Sequence, residues 1–125
     1  MTAKTVLILA GILGALSVGI GAFGAHGLES TLTNNGKVET FETAVKYQFY
    51  HTLALLLVGI LMLNLQSTYF SYASISFILG IVVFSGSLYT LSLTNITWLG
   101  AITPIGGLAF ILGWVFLVMG VSKTL

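Results

Sequence analysis

The first long apolar run decides the fold, and residues 5–28 of it read TVLILAGILGALSVGIGAFGAHGL. A transmembrane helix needs about 20 mostly apolar residues, so this run is long enough to cross a bilayer. Its last part, from Gly21 to Leu28, combines three glycines with one of the two histidines of the chain. The run therefore predicts a membrane-spanning helix that ends in a glycine-rich segment bearing a histidine. A cleavable signal peptide, cut near Ala22 or Ala25, is the alternative.

The overall composition makes lipid the natural solvent for the whole chain. Of 125 residues, 57% are hydrophobic and only 6% are charged, whereas about 25% are charged in an average soluble domain. The chain has no cysteine, which excludes disulfides, thiol chemistry and cysteine-ligated metals. A net charge of +1 without a basic cluster argues against nucleic-acid binding.

Four apolar windows predict four spans in a single all-α domain that covers residues 1–125. The predicted helices lie at about 5–28, 38–65, 69–93 and 98–122. Only the connection between the first and second helices is long, and short connections place neighbouring helices antiparallel. We therefore expect an integral membrane protein built as an antiparallel four-helix transmembrane bundle.

Small residues recur with heptad spacing in the first and fourth spans. In the first span the pattern is Leu7, Ala10, Gly14, Ser17, Gly21, Gly24 and Leu28, and in the fourth it is Leu99, Thr103, Gly106, Phe110, Gly113, Leu117 and Gly120. Lipid supplies no hydrophobic drive between helices, so association depends on the close packing that small residues permit. We expect the first-span pattern to receive Phe110 and Leu117 of the fourth span. Alternatively, one pattern is the interface of a homo-oligomer.

Polar side chains concentrate at one end of the predicted bundle. Alternate helices run in opposite directions, so the end of the first span lies beside the start of the second, the end of the third and the start of the fourth. The candidate ligand-binding residues there are His26, Tyr47, Tyr50, His51, Ser85, Ser87, Tyr89, Thr103 and Pro104. They predict a one-sided polar pocket for a lipid, a small molecule or a proton. Pro104, followed by Gly106 and Gly107, also predicts a kink or unwinding of the fourth helix.

Structural roles explain several of these residues equally well. A buried neutral imidazole needs one donor and one acceptor, so His51 suits a structural hydrogen bond as well as a ligand site. His26, at a helix end, suits bonds to backbone carbonyls or to interfacial water. Glu39 or Glu42 would have to complete a two-histidine metal site, and no ligand spacing supports one. A serine hydrolase built on Ser85 or Ser87 lacks an acidic partner within the spans.

Four strings in fixed order, GAFGAHGL, YQFYH, FSGSLY and ITPIGG, carry a family resemblance. With this order and spacing the chain resembles the domain-of-unknown-function 423 family of small bacterial inner-membrane proteins, and the resemblance covers essentially its whole length. It implies a four-helix protein of the bacterial plasma membrane. It implies no activity, cofactor or catalytic residue.

The sequence thus predicts a membrane protein of unknown activity with a polar His/Tyr/Ser pocket, in contact with the lipid bilayer. A structural or accessory protein whose polar cluster only locks the bundle is the alternative, and a membrane enzyme using quinone or lipid is a weaker one. Lys4 and Lys123 share one side without acids, whereas Lys37 and Lys46 share the other with three glutamates. This distribution slightly favours cytoplasmic N- and C-termini.

Overall fold

The computed structural model describes all 125 residues and contains four long helices. They cover Ala3–Gly27, Val38–Leu61, Thr68–Thr94 and Thr97–Thr124, and each is long and apolar enough to cross a membrane. A short surface helix, Glu29–Asn35, connects the first two spans. There is no strand, so the predicted all-α, four-span fold class is confirmed.

Local signals set the ends of these helices. The Ser67 hydroxyl accepts a hydrogen bond from the Tyr69 amide at 3.2 Å and caps the start of the third span. The second span ends at Leu61 rather than near Leu65, because the chain turns over residues 62–64 before this cap. At the other membrane face, Asn95 takes a left-handed conformation with φ 57° and ends the third span.

The four spans pack in chain order. The first packs on the second, the second on the third and the third on the fourth, whereas the first and fourth have no extensive contact. Buried residues make up 44% of the most apolar window in each of the two middle spans, but 17% in the first and 22% in the fourth. The molecule is therefore two antiparallel hairpins, spans 1–2 and spans 3–4, joined through the middle pair.

The second hairpin is built from phenylalanine rings seated on glycines. Its seven-residue repeat seats the Phe70 ring on Gly120 and the Phe77 ring on Gly113, and it places Gly106 against the backbone of Phe84. The Phe110 ring lies on Gly80 in the reverse sense. A Cβ atom at Gly113 would lie only 2.5 Å from the Phe77 ring. Because no larger residue fits under these rings, the glycines bring the third and fourth spans into close contact.

The predicted partner of the first-span pattern was wrong. Gly14, Gly21 and Gly24 face the second span, while Phe110 packs on the third. Ser17 is buried, and its hydroxyl donates to the Leu13 carbonyl at 2.8 Å. A heptad pattern identifies the face of a helix that packs, but it does not identify the neighbour that covers it. The glycines of both patterns therefore have packing neighbours within one chain.

The predicted interruption of the fourth span lies at its start and not inside it. The chain forms a 3-10 turn over Thr97–Ala101, and the α-helix then begins at Thr103 with Pro104 in its first turn. A proline is tolerated there because the first amides of a helix have no helical acceptor. Wider π-helical turns, which sequence reasoning did not predict, occur instead at Gly19–Gly24 and Ile81–Ser85.

Candidate functional site

The largest concave surface is a groove of about 830 Å³ between the second and fourth spans. Its lining consists of Tyr47, Tyr50 and His51 from the second span with Pro104, Gly107, Leu108, Phe110, Ile111 and Trp114 from the fourth. The groove exists because the fourth span packs on the third and leaves a gap beside the second. Ile111 is 59% exposed on its wall, so the groove opens sideways to the lipid.

The groove follows one face of the fourth helix from Pro104 to Trp114. Ten residues of α-helix rise about 15 Å, which is half of a hydrocarbon core of about 30 Å. Its interfacial end, at Tyr47, directly follows Lys46, the last charged residue of the second span. The groove therefore runs from the membrane interface towards the midplane and spans one leaflet.

His51 forms part of the groove wall, and both of its ring nitrogens are bonded within the chain. Nε2 accepts a hydrogen bond from the Trp114 indole at 3.1 Å, and Nδ1 lies 2.8 Å from the Tyr47 carbonyl. An indole N–H can only donate, so Nδ1 carries the proton and donates to that carbonyl. The ring also stacks on Phe110 with centroids 3.5 Å apart. His51 is thus neutral, and its contacts with Trp114 and Phe110 hold the second span against the fourth.

Gln48 is the polar residue that sequence reasoning missed. It is 3% exposed; its side-chain amide donates to the Leu13 carbonyl at 3.3 Å, and its oxygen accepts from the Tyr89 hydroxyl at 2.5 Å. One side chain thereby joins the first three spans. The available signal was an amide within an apolar span, since such a group must find partners where water is absent.

The candidate serines also connect helices rather than line the groove. Ser85 donates to the Ala44 carbonyl of the second span at 2.7 Å. Ser87 and Thr103 share a hydrogen bond of 2.7 Å between the third and fourth spans. Ser85 and Ser87 are therefore both bonded where two helices approach closely.

The structure divides the predicted pocket into separate parts. Tyr47, Tyr50, His51 and Pro104 line the groove, whereas the remaining candidates do not. His26 is exposed at the end of the first span. No group of three or more His, Asp or Glu side chains is arranged to hold a metal ion. Ligand binding by these residues stays a prediction.

Comparison with known proteins identifies the family but no activity. Residues 20–107 match the model of a family described as "Protein of unknown function (DUF423)". A UPF0382 membrane protein of Staphylococcus haemolyticus is 48% identical over 96% of this chain and 97% of its own length. A UPF0382 membrane protein of Bacillus subtilis is 45% identical over 98% of this chain and 99% of its own length. A UPF0382 inner membrane protein of Escherichia coli is 41% identical over 98% of this chain and 93% of its own length.

No solved structure matches the chain. The names of the relatives and the four apolar helices agree on a multi-pass protein of the bacterial plasma membrane. The resemblance drawn from the four sequence strings is confirmed, and the chain belongs to the DUF423 family of membrane proteins of unknown function.

Proposed function

We propose that the protein binds one tail of a membrane lipid in the groove between its second and fourth spans. The observation that carries the proposal is the shape of this groove, which is open sideways and runs through one leaflet parallel to the helices. An acyl tail needs apolar walls, entry from the bilayer and a path along the membrane normal, and the groove supplies all three. Most of its lining side chains are hydrophobic.

The groove walls are held in place before any ligand arrives. The hydrogen bond from Trp114 and the stack on Phe110 fix the His51 ring, and Phe110 itself is seated on Gly80. A preformed site loses less conformational entropy on binding than a site that must be ordered. In this proposal His51 shapes the wall that the tail contacts, and it exchanges no proton with the ligand.

Native mass spectrometry of the protein released from its own membrane tests the proposal. We expect the wild type to retain lipid under activation that strips loosely held lipid. Ile111→Trp places an indole in the groove from its open side, so this variant should lose the retained lipid. The matched control is Val118→Trp on the same helix, because Val118 is 67% exposed and lies outside the groove.

The same spectra contain the outcome that contradicts the proposal. If circular dichroism shows that both proteins are folded, equal lipid retention in the wild type and in Ile111→Trp means that the groove holds no tail. The mass of the released species also reads the oligomeric state, which tests the other predicted partner, a second copy of the chain.

A structural or accessory role is the second candidate, and the internal bonding of the polar residues favours it. His51, Gln48 and Ser85 all use their hydrogen-bonding groups within the chain. If the protein has this role, His51→Ala should lower the unfolding temperature. Lipid retention should then be the same in the wild type, in His51→Ala and in Ile111→Trp.

The proposed orientation has both termini in the cytoplasm, which puts the groove in the outer leaflet. It is supported by Lys4 and Lys123, which share a side that carries no acidic residue. Because the natural chain has no cysteine, a single cysteine at Asn34 or at Ser122 reports on one side only. A maleimide that cannot cross membranes should label Asn34→Cys in intact spheroplasts and leave Ser122→Cys unlabelled. Labelling of Ser122→Cys but not of Asn34→Cys would show the opposite orientation.

A further inference from the structure

The mouth of the groove, its interfacial end at Pro104 and Tyr47, lies beside backbone carbonyls that lack their helical donors. Pro104 has no N–H to donate to the Gly100 carbonyl four residues earlier. The next amide, that of Ile105, bonds to Ile102 at 3.0 Å instead of to Ala101. Gly100 and Ala101 are both exposed, and they lie four and three residues before Pro104, which lines the groove. This end of the groove can therefore accept hydrogen bonds from a ligand.

Two tyrosine rings form a corner at the same mouth. The Tyr47 and Tyr50 ring centroids lie 5.9 Å apart with their planes at 57°, and both residues are exposed. Aromatic faces attract a cation placed within about 6 Å of the ring centroid. None of the residues lining the groove is acidic. Hence a cationic group would be held here by carbonyl oxygens and ring faces rather than by a carboxylate.

Lys46 supplies a positive charge one turn away, which suits a negative group of the ligand. It lies four residues before Tyr50, so the two side chains share a face of the second helix, and Lys46 is exposed. An ammonium beside the tyrosines and a phosphate beside Lys46 would place two opposite ligand charges within one helical turn. That is the arrangement found in a zwitterionic phospholipid head group.

We infer that the lipid held in the groove is a phospholipid whose head group carries a primary ammonium. The inference rests on the proposed lipid binding and adds the head group to it. The ammonium N–H groups donate to the Gly100 and Ala101 carbonyls, and the charge lies against the Tyr47 and Tyr50 rings. A trimethylammonium head group has the same charge but no N–H, so it would keep the ring contact and lose the hydrogen bonds.

The test compares phosphatidylethanolamine with phosphatidylcholine of identical acyl chains, mixed equally in nanodiscs that contain the full-length protein. Native mass spectrometry then reads the ratio of the two lipids retained. We expect about a tenfold preference for phosphatidylethanolamine, since hydrogen bonds to charged groups are stronger than neutral ones. Pro104→Ala supplies an N–H that can bond to the Gly100 or Ala101 carbonyl in place of the ligand, and it should reduce the preference to near twofold or below. The control Ile105→Ala leaves this backbone pattern unchanged and should keep the preference.

The outcomes separate this inference from the proposed function. Equal retention of the two lipids, or a preference for phosphatidylcholine, overturns the head-group assignment while loss of both lipids in Ile111→Trp still supports the groove. An undiminished preference in Pro104→Ala also overturns it, because the carbonyl would then play no part. If Ile111→Trp retains as much lipid as the wild type, the proposed function is wrong, and the head-group inference is wrong with it.

Discussion

The two hairpins use the same antiparallel arrangement but differ in how closely their helices approach. In the second hairpin, Cβ atoms placed on Gly113 and Gly120 would lie 2.5 and 2.7 Å from phenylalanine rings. In the first, Cβ atoms on Gly14 and Gly21 would lie 3.7 and 3.0 Å from Thr52 and Val45. The second hairpin is thus tightly packed at every one of its paired glycines, whereas in the first only Gly59, whose Cβ would lie 2.7 Å from Leu7, is as tight. This difference matters for the groove, since the close pairing of the third and fourth spans holds the fourth away from the second.

Gly106→Ala should have the largest effect on stability of the variants considered. An added Cβ would collide with the backbone of Phe84, which cannot rotate away as a side chain can. Overpacking typically destabilises a core by about 1–3 kcal/mol, and a backbone collision should reach about 3 kcal/mol or more. Thermal unfolding of the purified protein in detergent measures the loss.

Gly14→Ala is the matched control from the first hairpin. Its Cβ would make ordinary contact with Thr52, and alanine favours a helix over glycine by about 1 kcal/mol. Unfolding at the wild-type temperature or above is therefore expected. Similar losses in Gly106→Ala and Gly14→Ala would contradict the difference between the hairpins.

His51→Phe tests the contact that joins the hairpins on the groove side. Phenylalanine can keep the stack on Phe110, but it removes the acceptor of the Trp114 indole and leaves that N–H without its partner. An unsatisfied donor of this kind destabilises by about 1–3 kcal/mol, and we expect a value near the upper end because lipid in the groove offers the freed N–H no acceptor. A blue shift of the tryptophan fluorescence should accompany the loss. His51→Phe with wild-type stability would mean that the indole bond contributes nothing.

Fold class was predictable from the sequence because span length and composition are local properties. The correct neighbours of each glycine pattern were not, since Gly14 and Gly113 show the same spacing and only the connection lengths hint at their partners. Candidate site residues were found by chemical type, which selected His51 and Tyr47 but passed over Gln48. The groove could not be predicted at all, because it depends on which two spans fail to pack against each other.

A double-mutant cycle on Gln48 and Tyr89 measures the contact that joins the hairpins on the other side. Tyr89→Phe removes the donor to the Gln48 oxygen, and Gln48→Leu removes both of the amide's bonds. Hydrogen bonds between membrane helices average about 0.6 kcal/mol in such cycles and reach about 1.7 kcal/mol. We expect a coupling near the upper figure because both atoms lie inside the bundle at 2.5 Å. Additive effects in the double variant would show that the two side chains do not act together.

Thr52→Val should stabilise the first hairpin slightly. The Thr52 hydroxyl is buried and has no hydrogen-bond partner, and its methyl group faces Gly14. Valine has nearly the same shape, so the change removes an unsatisfied polar atom without opening a cavity. The expected gain is about 0.5–1 kcal/mol, read as a higher unfolding temperature in detergent. Thr52→Ser, which keeps the hydroxyl and deletes the methyl, should instead destabilise. A lower unfolding temperature for Thr52→Val would mean that the hydroxyl has a partner, such as an internal water between the first two spans.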